Sequence, residues 1–493
     1  FSEMWLRWMD LGGLKGGLSL FQKAWGWDAR VPMRLHLDPE EPKLRLLCTH
    51  LVTIEPGDKW ESDEFVLTPH ANGWAKGIEP YATYAKSHIN KEFPIPTHIG
   101  KSLGYRTVWM SNGFPKDPED AIWKFDDLPA LAEENKRHGL NDMVLWGAIR
   151  SFELPMPPPY AHLGSEDDLA NAVKACRELG VYVAPFVSLL QAGHDTGHKY
   201  GLTVPDTGGW AQHPEAIPPF QAPYIPLYQC AQIDTNNELW QKEVLESLMH
   251  YIDIGIPSVS WDQFLTEPNM NIINLMSKVR AKAKKVDPES TFSSEEMYNI
   301  EVDADYLDYI WNWGGFRNCQ AFTYVFPSPR ISCIVTEAGY VVKAAFLDNL
   351  YLNVMPRKAG SVNGSDWISN HTELSEALIE CKALRKQFLE YFTDGRLIGS
   401  CLLREPCPNT HIDSYILPDR ALLLILNQGG AGPVEFKCDL APWVNSINGR
   451  YTVKQYDSSG KLLDTFHLKN GDWVGKTSSM AKFGIGLYEI SSD

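Results

Sequence analysis

The stretch that decides the fold is GIPSVSWDQF, residues 255–264. It follows a segment with helical periodicity, 237–252, and begins with a glycine of the kind that ends helices. The apolar run 256–260 is too short for a helix and predicts a buried strand. Asp262 and its neighbour Trp261 come directly after that strand. A helix, a glycine, a short buried strand and then polar residues form one unit of a parallel β/α fold.

The same unit recurs on both sides of this stretch. The predicted strands lie at 107–110, 142–146, 181–187, 256–260, 290–294, 307–311 and 332–335, and an eighth is expected near Asp366. The predicted helices lie at 128–138, 165–179, 237–252, 270–285, 343–352 and 373–391. Residues 96–395, about 300 in number, fit a (β/α)₈ barrel with insertions better than an open doubly wound sheet. No GxGxxG motif follows the first strand, so the dinucleotide-binding fold lacks its fingerprint.

The two ends of the chain predict β structure. Residues 1–95 hold short apolar stretches between turn residues, as in part of a β-sandwich, and residues 396–493 predict a second, C-terminal β-sandwich. The first part is only about half of an ordinary sandwich, and the chain begins at Phe1, so we expect its N-terminal portion to be incomplete. The predicted fold class is therefore α/β, a (β/α)₈ TIM barrel at 96–395, the catalytic domain, between these two β-sandwich regions.

Composition narrows the choice of partners. The 45 Lys and Arg against 62 Asp and Glu give a formal net charge of −17, which argues against a nucleic-acid partner. No apolar run is long enough for a membrane helix, so no membrane partner is expected. The 17 Trp, 20 Tyr and 20 Phe favour a carbohydrate partner, because flat amphipathic rings suit sugar faces. Nine widely spaced Cys without a CxxC motif indicate unpaired thiols and favour a cytoplasmic location, although a secreted protein whose leader was removed fits as well.

Carboxylates follow two neighbouring predicted strands of the barrel. Asp262 comes directly after the fourth strand, and the fifth strand ends in Glu295 and Glu296. Active groups of a barrel stand at the carboxyl ends of its strands, and glycoside hydrolysis needs two carboxyl groups, about 5–5.5 Å apart in a retaining mechanism. Glu295 and Glu296 point to opposite sides of an extended chain, so only one of them is expected to face the cleft. A helix cap or a turn is the structural alternative for each carboxylate taken singly.

The stretches GIPSVSWDQF and TFSSEEMYN, residues 255–264 and 291–299, together resemble the retaining α-glycosidase barrels of the α-amylase and α-galactosidase kind. The endo-α-N-acetylgalactosaminidases are similar in carrying the nucleophile and the acid/base on the fourth and fifth strands. The resemblance implies a retaining glycoside hydrolase for an α-linked sugar, in which Asp262 is the nucleophile and Glu295 the acid/base, with Glu296 as the alternative.

Barrels similar to the α-galactosidases differ in placing the acid/base on the sixth strand. This chain offers Asp303, Asp305 and Asp308 there, before Trp311. If that pattern applied, the assignment of the acid/base to Glu295 would fail.

Aromatic and polar residues near the predicted strand ends are candidate substrate contacts, since an indole can stack on a pyranose face. They are Trp109, Trp146, Arg150, His194, His198, Trp261, Trp311, Trp313, Arg317, Asp366 and Trp367. Core packing is the alternative for the tryptophans, and a structural salt bridge is the alternative for each arginine. His194 and His198 form an HxxxH pattern, but in a glycine-rich segment without assured helical spacing. We therefore predict no metal and no cofactor. A non-catalytic glycan-binding barrel and, more weakly, a metal-dependent hydrolase are the alternative functions.

Overall fold

The computed structural model describes residues 6–25, 33–37, 44–50, 52–89, 93–111, 121–149, 158–188, 191–193, 230–232, 237–262, 270–295, 304–311, 319–326 and 328–493. In chain order these residues form a small antiparallel sheet, a closed barrel of parallel strands with helices around it, and a second set of antiparallel sheets.

The N-terminal residues form antiparallel strands, as the turn-rich sequence predicts. The strands are β1 Trp8–Gly13, β2 Gly16–Lys23, β3 Met33–Leu37, β4 Leu44–Cys48 and β5 Glu64–Ala71. β2 pairs with β1 and β5 in one sheet, and β3 pairs with β4 in a hairpin. Two short helices follow, α1 Trp74–Gly77 and α2 Glu79–His88. These helices lie in a region for which the sequence predicts β structure throughout.

Eight parallel strands close into a barrel. They are β6 Gly104–Trp109, β7 Leu140–Trp146, β8 Tyr182–Ser188, β11 Val259–Asp262, β12 Phe292–Glu295, β13 Tyr309–Trp311, β14 Arg330–Val335 and β15 Tyr351–Val354. The hairpin of β9 Gln191–Gly193 and β10 Cys230–Gln232 lies in the connection between β8 and β11. The helices are α3 Thr97–Lys101, α4 Leu128–Arg137, α5 Glu166–Glu178, α6 Glu238–Asp253, α7 Met270–Val286, α8 Cys319–Val325, α9 Gly339–Leu347, α10 Thr372–Gln387 and α11 Leu389–Thr393. The predicted (β/α)₈ barrel is confirmed.

The eighth strand is not where the sequence pattern places it. The pattern predicts one helix over 343–352 and an eighth strand near Asp366, whereas α9 ends at Leu347 and β15 begins at Tyr351. Asn349 explains the break, because it adopts a left-handed backbone with φ of 54°. Asparagine tolerates that conformation and ends a helix as glycine does. A prediction that relies on glycine as the helix-ending signal therefore runs the helix through the start of the strand.

Alternate residues of each barrel strand face opposite sides. The inner faces form one cluster, whose strand members are Tyr105, Trp109, Val144, Phe186, Tyr309, Trp311 and Tyr351. The outer faces, among them Val259, Trp261 and Phe292, join a larger cluster that includes residues of the surrounding helices. The barrel interior is therefore a packed core and not a pore.

His98, on α3, closes the amino end of the barrel. Its ring stacks on Tyr182 with the centroids 3.7 Å apart, and its two nitrogens lie 3.2 Å from Asp142 and 3.1 Å from Glu289. Burial acts to lower the pKa of His98, but the charges and hydrogen bonds of Asp142 and Glu289 outweigh it and raise the pKa to about 9. The folded barrel therefore favours the imidazolium form of His98.

The free energy of unfolding should fall as pH rises from 6.5 to about 9, because of His98. A group whose pKa is raised on folding stabilises the protein fully below its unfolded pKa, and that contribution is lost as pH rises through the folded pKa. The loss expected from His98 is about 3 kcal/mol. Urea denaturation across this range should give a weaker pH dependence for His98→Gln than for wild type, with the exposed His88→Gln as control. Equal pH dependence in wild type and His98→Gln would contradict the prediction.

The residues after the barrel form antiparallel sheets, in agreement with the predicted C-terminal sandwich. The strands are β16 Arg396–Leu397, β17 Thr410–Leu417, β18 Arg420–Asn427, β19 Glu435–Asp439, β20 Arg450–Tyr456, β21 Leu462–Lys469, β22 Asp472–Lys476 and β23 Ile485–Ser492. Six of them form one sheet in the order β16-β17-β18-β23-β20-β21, and β19 pairs with β22. The fold class is confirmed, while the domain boundaries at 95/96 and 395/396 stay predictions. In the part of the chain that the structure describes, no helix has the length and apolar character needed to cross a membrane.

Candidate active site

Asp262 and Glu295 are the last residues of two neighbouring barrel strands. β11 ends at Asp262 and β12 ends at Glu295. The strands pair in parallel with Trp261 opposite Ser294, so the two carboxylate residues stand side by side, one position further on. Neighbouring strands lie about 4.7–4.9 Å apart. That spacing is close to the carboxyl separation of about 5–5.5 Å that a retaining glycosidase uses.

Both carboxylates belong to the inner face of the barrel. Residues two apart on a strand share a face, and Ser260 and Ser293, each two residues before a carboxylate, meet in a hydrogen bond of 2.9 Å between their hydroxyls. Burial raises the pKa of Tyr105, a phenol of the barrel interior, and the charge of Glu295 adds to that rise. Asp262 and Glu295 are themselves half-buried. The arrangement therefore puts two partly exposed carboxyl groups above a packed core.

The structure separates the sixth-strand carboxylates from this pair. Asp308 precedes β13 at the amino end of the barrel, where Arg280 donates to it at 2.8 Å and the backbone N–H of Phe292 at 2.9 Å. Asp305 lies earlier still, in a helical turn before that strand. The sequence holds no Asp or Glu between Asp308 and Glu337, so the connection after β13 supplies no carboxyl group. Asp303 lies outside the described residues.

Aromatic rings form a wall inside the same end of the barrel. Trp109 and Trp146, the last residues of β6 and β7, are paired in register and stack with centroids 4.1 Å apart and an interplanar angle of 25°. Phe186 lies 5.3 Å from Trp146 and 5.4 Å from Trp311. Trp311 ends β13 and is paired in register with Glu295. Three of the predicted tryptophan contacts are thus on the inner face with the carboxylates, but Trp109 and Trp311 are buried in the core and only Trp146 is half-buried.

Trp261 lies on the other face of its strand. It is completely buried and belongs to the outer cluster with Val259 and helix residues. Because neighbouring residues of a strand point to opposite sides, its position next to Asp262 in the sequence puts the indole outside the barrel. The structure does not bring Trp261 to the carboxylate pair.

Asp366 and Trp367 belong to the long connection after β15, which reaches the end of β6. The backbone N–H of Trp109 donates to the carbonyl of Gly364 at 3.3 Å. Gly364 has a φ of +76°, and a Cβ at this position would lie 2.5 Å from the carbonyl oxygen of Thr107. Only glycine permits this close approach of the two backbones.

Asp366 stabilises its own loop. Its carboxylate accepts hydrogen bonds from the Trp367 backbone N–H at 2.9 Å and from Asn370 at 2.7 Å, and it lies 3.2 Å from His371. Burial acts to raise the pKa of Asp366, but these hydrogen bonds outweigh it and lower the pKa below its ordinary value. Asp366 and Trp367 line a cavity of about 560 Å³ whose walls include neither carboxylate of the pair. The structure therefore places them beside the candidate active site and not in it.

The remaining predicted site residues fall outside the described part of the chain. They are Arg150, His194, His198, Glu296, Trp313 and Arg317. Two residues that sequence reasoning missed lie near the site: Trp123, on the wall of the cavity, and Arg106, buried beneath it. Neither follows a predicted strand, so no signal in the pattern of strand ends marks them.

One group of described side chains has the ligand types of a metal site. His411 lies 2.8 Å from Asp413 and 3.4 Å from Asp348, and all three offer atoms within 4.8 Å of one another. Gln320 donates to both carboxylates. Burial acts to lower the pKa of His411, but the two carboxylates raise it to about 10. Burial and the like charge of Asp348 raise the pKa of Asp413 to about 7. Asp348 lies just before β15, so this cluster lies at the amino end of that strand, at the other end of the barrel from Asp262.

Comparisons with known proteins show that solved structures share the fold of this chain, and they show no closer relationship. No protein-family model and no curated protein matches the chain. Among solved structures, the maltogenic α-amylase AmyB of Thermotoga neapolitana matches with a TM-score of 0.56 and 12% identity over 79% of this chain and 99% of its own. The GH36 α-galactosidase AgaA of Geobacillus stearothermophilus matches with a TM-score of 0.59 and 11% identity over 97% of this chain and 68% of its own. The debranching enzyme of Nostoc punctiforme matches with a TM-score of 0.55 and 8% identity over 80% of this chain and 99% of its own. The chain therefore has the barrel fold of these α-glycosidases.

Proposed function

We propose that this chain is a retaining glycoside hydrolase that acts on an α-linked sugar. The observation that carries the proposal is the placement of Asp262 and Glu295 side by side, on the inner face, at the carboxyl ends of neighbouring strands. This spacing suits a nucleophile and an acid/base without room for a water between them. The position of Asp305 and Asp308 before β13 supports Glu295 over a sixth-strand acid.

The reaction we propose has two displacements. In the first, a carboxylate oxygen of Asp262 forms a bond to the anomeric carbon while the bond to the departing oxygen breaks, and Glu295 gives that oxygen its proton. In the second, Glu295 takes a proton from water, whose oxygen attacks the anomeric carbon and releases Asp262. The two inversions restore the original anomeric configuration.

The aromatic wall supports a sugar substrate. Trp109 and Trp146 stack on one another at the barrel mouth, and a half-buried indole such as Trp146 can present apolar surface to a pyranose ring. Structures with the same fold carry sugars or sugar analogues: AgaA has been solved with raffinose, and the α-amylase of Geobacillus thermoleovorans with acarbose. Those ligands support our choice of α-linked sugars as the substrate class.

A screen of aryl α- and β-glycosides tests the proposal. We expect hydrolysis of at least one α-glycoside, and proton NMR of the first-formed sugar should show the α-anomer. A first-formed β-anomer would exclude the covalent mechanism. If no glycoside is cleaved and the protein still binds sugars, the non-catalytic glycan-binding barrel is the correct function.

A glycoside that the wild type cleaves in this screen also tests which of Glu295 and Glu296 is the acid/base. Glu295→Ala should lower kcat about 10²–10⁴-fold, and azide should restore turnover with an activated aryl glycoside, because azide can replace water without a general base. Glu296→Ala is the matched control and should remain near wild type. If azide rescues Glu296→Ala while Glu295→Ala is nearly normal, the acid/base is Glu296.

A further inference from the structure

A cavity of about 560 Å³ lies beside the end of β6. Its walls come from the segment after β6 and from the connection after β15. The lining includes Trp123, Lys358, Ser361, Asp366, Trp367 and Asn370. The volume is within the range of about 300–1,000 Å³ that is typical of small-molecule sites.

Backbone hydrogen bonds tie this cavity to the carboxyl end of the barrel. The carbonyl of Met110 accepts from the N–H groups of Ile122 at 2.9 Å and Trp123 at 3.2 Å. The carbonyl of Gly364 accepts from the backbone of Trp109 at 3.3 Å and from the indole of Trp123 at 3.1 Å. Trp109 is part of the inner aromatic wall. The cavity and the pair Asp262–Glu295 therefore open at the same end of the barrel.

The walls combine aromatic surface with neutral polar groups. Trp123 and Trp367 stand perpendicular, with ring centroids 5.2 Å apart and an interplanar angle of 89°. Ser361, half-buried, and Asn370, exposed, add a hydroxyl and an amide. An indole beside hydroxyl and amide groups suits a ring with an apolar face and a rim of hydroxyls, which describes a pyranose.

The charges of the lining favour a neutral ligand. Lys358 brings one positive charge and Asp366 one negative charge. The oxygens of Asp366 already accept hydrogen bonds from its own loop. A cationic ligand would therefore be repelled by Lys358, and an anionic ligand would be repelled by Asp366. A neutral sugar is repelled by neither residue.

The cavity walls are held in place from below. Glu134 accepts from the N–H groups of Ile368 at 3.0 Å and Ser369 at 2.9 Å, and from Arg106 at 2.9 Å. Arg106 also lies against the rings of both Trp123 and Trp367, 5.9 Å from each centroid. A site whose walls are fixed before the ligand arrives loses less free energy on ordering.

We propose that this cavity binds a neutral pyranose unit of an oligosaccharide whose scissile bond lies at Asp262 and Glu295. The inference rests on the proposed function and narrows its substrate class, from simple glycosides to α-linked oligosaccharides that extend from the carboxylates to the cavity. A monosaccharide glycoside reaches only the carboxylates and does not use the cavity.

Isothermal titration calorimetry with raffinose, stachyose and maltotetraose tests this proposal in an Asp262→Asn background, where no turnover interferes. We expect at least one of these oligosaccharides to bind. Ser361→Trp, which fills the cavity, should weaken that binding at least tenfold, and Asn370→Ala should weaken it about threefold. Ser87→Trp, on the exposed side of α2, is the matched control and should change nothing. The affinity for galactose or glucose should be the same in all variants.

The outcomes separate the cavity from the catalytic proposal. Failure of all three oligosaccharides to bind, or equal affinity in Ser361→Trp and the control, overturns the cavity inference. If the wild type cleaves aryl glycosides in that case, the proposed function stands without it. If an oligosaccharide binds through the cavity while the wild type cleaves no glycoside, the cavity is a sugar-binding site, and the proposed function fails together with the placement of a scissile bond at the carboxylates.

Discussion

Asp262→Ala should lower kcat/KM by about 10⁴-fold or more on any glycoside that the wild type hydrolyses. The reason is that the alanine side chain has no atom that can form the covalent bond to the anomeric carbon, so the two-step route is lost. Asp262 ends β11 and is only half-buried, so its loss removes no core packing and the circular dichroism spectrum should not change. Steady-state kinetics on the best aryl glycoside provides the measurement.

Asp305→Ala is the matched control for this prediction. It removes another half-buried aspartate, one that lies before β13 at the amino end of the barrel. Turnover within about twofold of wild type is expected, because active groups of a barrel stand at the carboxyl ends of its strands. More than a tenth of wild-type activity in Asp262→Ala, or a large loss in Asp305→Ala, would contradict our assignment of the nucleophile or revive the sixth-strand pattern.

The position of this carboxylate pair could be predicted from the sequence because it depends on local order alone. A helix, a glycine and a short apolar run define where β11 begins, and the first carboxylate after the run then stands at the carboxyl end. Before β12 a proline, Pro288, takes the place of the glycine after the helix, and Glu295 is the first carboxylate after the short predicted strand 290–294. Neighbouring strands of a parallel barrel follow one another in the chain, so two consecutive strand ends come together in space.

The position of Trp261 shows that lying near a strand end in the sequence does not by itself put a side chain on the inner face of the barrel. Its neighbour Asp262 belongs to the inner face, and a strand turns its side chains to alternate sides. Because Trp261 and Asp262 are adjacent, their side chains point to opposite faces of the strand. Trp311, almost fifty residues further on, lies on the same face as the carboxylates. The strand period, applied position by position, predicts this difference.

Other parts of the site depend on contacts between distant segments, which a single sequence does not reveal. The cavity joins residues after β6 to residues after β15, and the hydrogen bond between Trp123 and Gly364 spans 241 positions. The eighth strand is missed for a local reason, since Asn349 ends α9 in place of a glycine. With that strand misplaced, the path of the following loop back to β6 is not predictable either.

The free energy of unfolding should depend strongly on the buried pair of Glu134 and Arg106 beneath the cavity. Glu134 and Arg106 are fully buried and joined by a bond of 2.9 Å. Burial acts to raise the pKa of Glu134, but Arg106 and the backbone N–H groups of Ser369 and Ile368 outweigh it and lower the pKa. Glu134→Ala leaves the guanidinium buried without its carboxylate and two N–H groups without their acceptor. We expect the free energy of unfolding to fall by about 3–5 kcal/mol.

Glu133→Ala separates this effect from a general loss of a glutamate on α4. Glu133 is exposed and precedes Glu134 directly, so alanine there should change the free energy of unfolding by no more than about 0.5 kcal/mol. Urea denaturation of both variants gives the comparison. Because the N–H groups released by Glu134→Ala belong to the loop that carries Trp367, a folded fraction of this variant should also bind oligosaccharides more weakly. Similar stabilities for the two variants would mean that the buried ion pair contributes little and that other contacts hold the cavity wall.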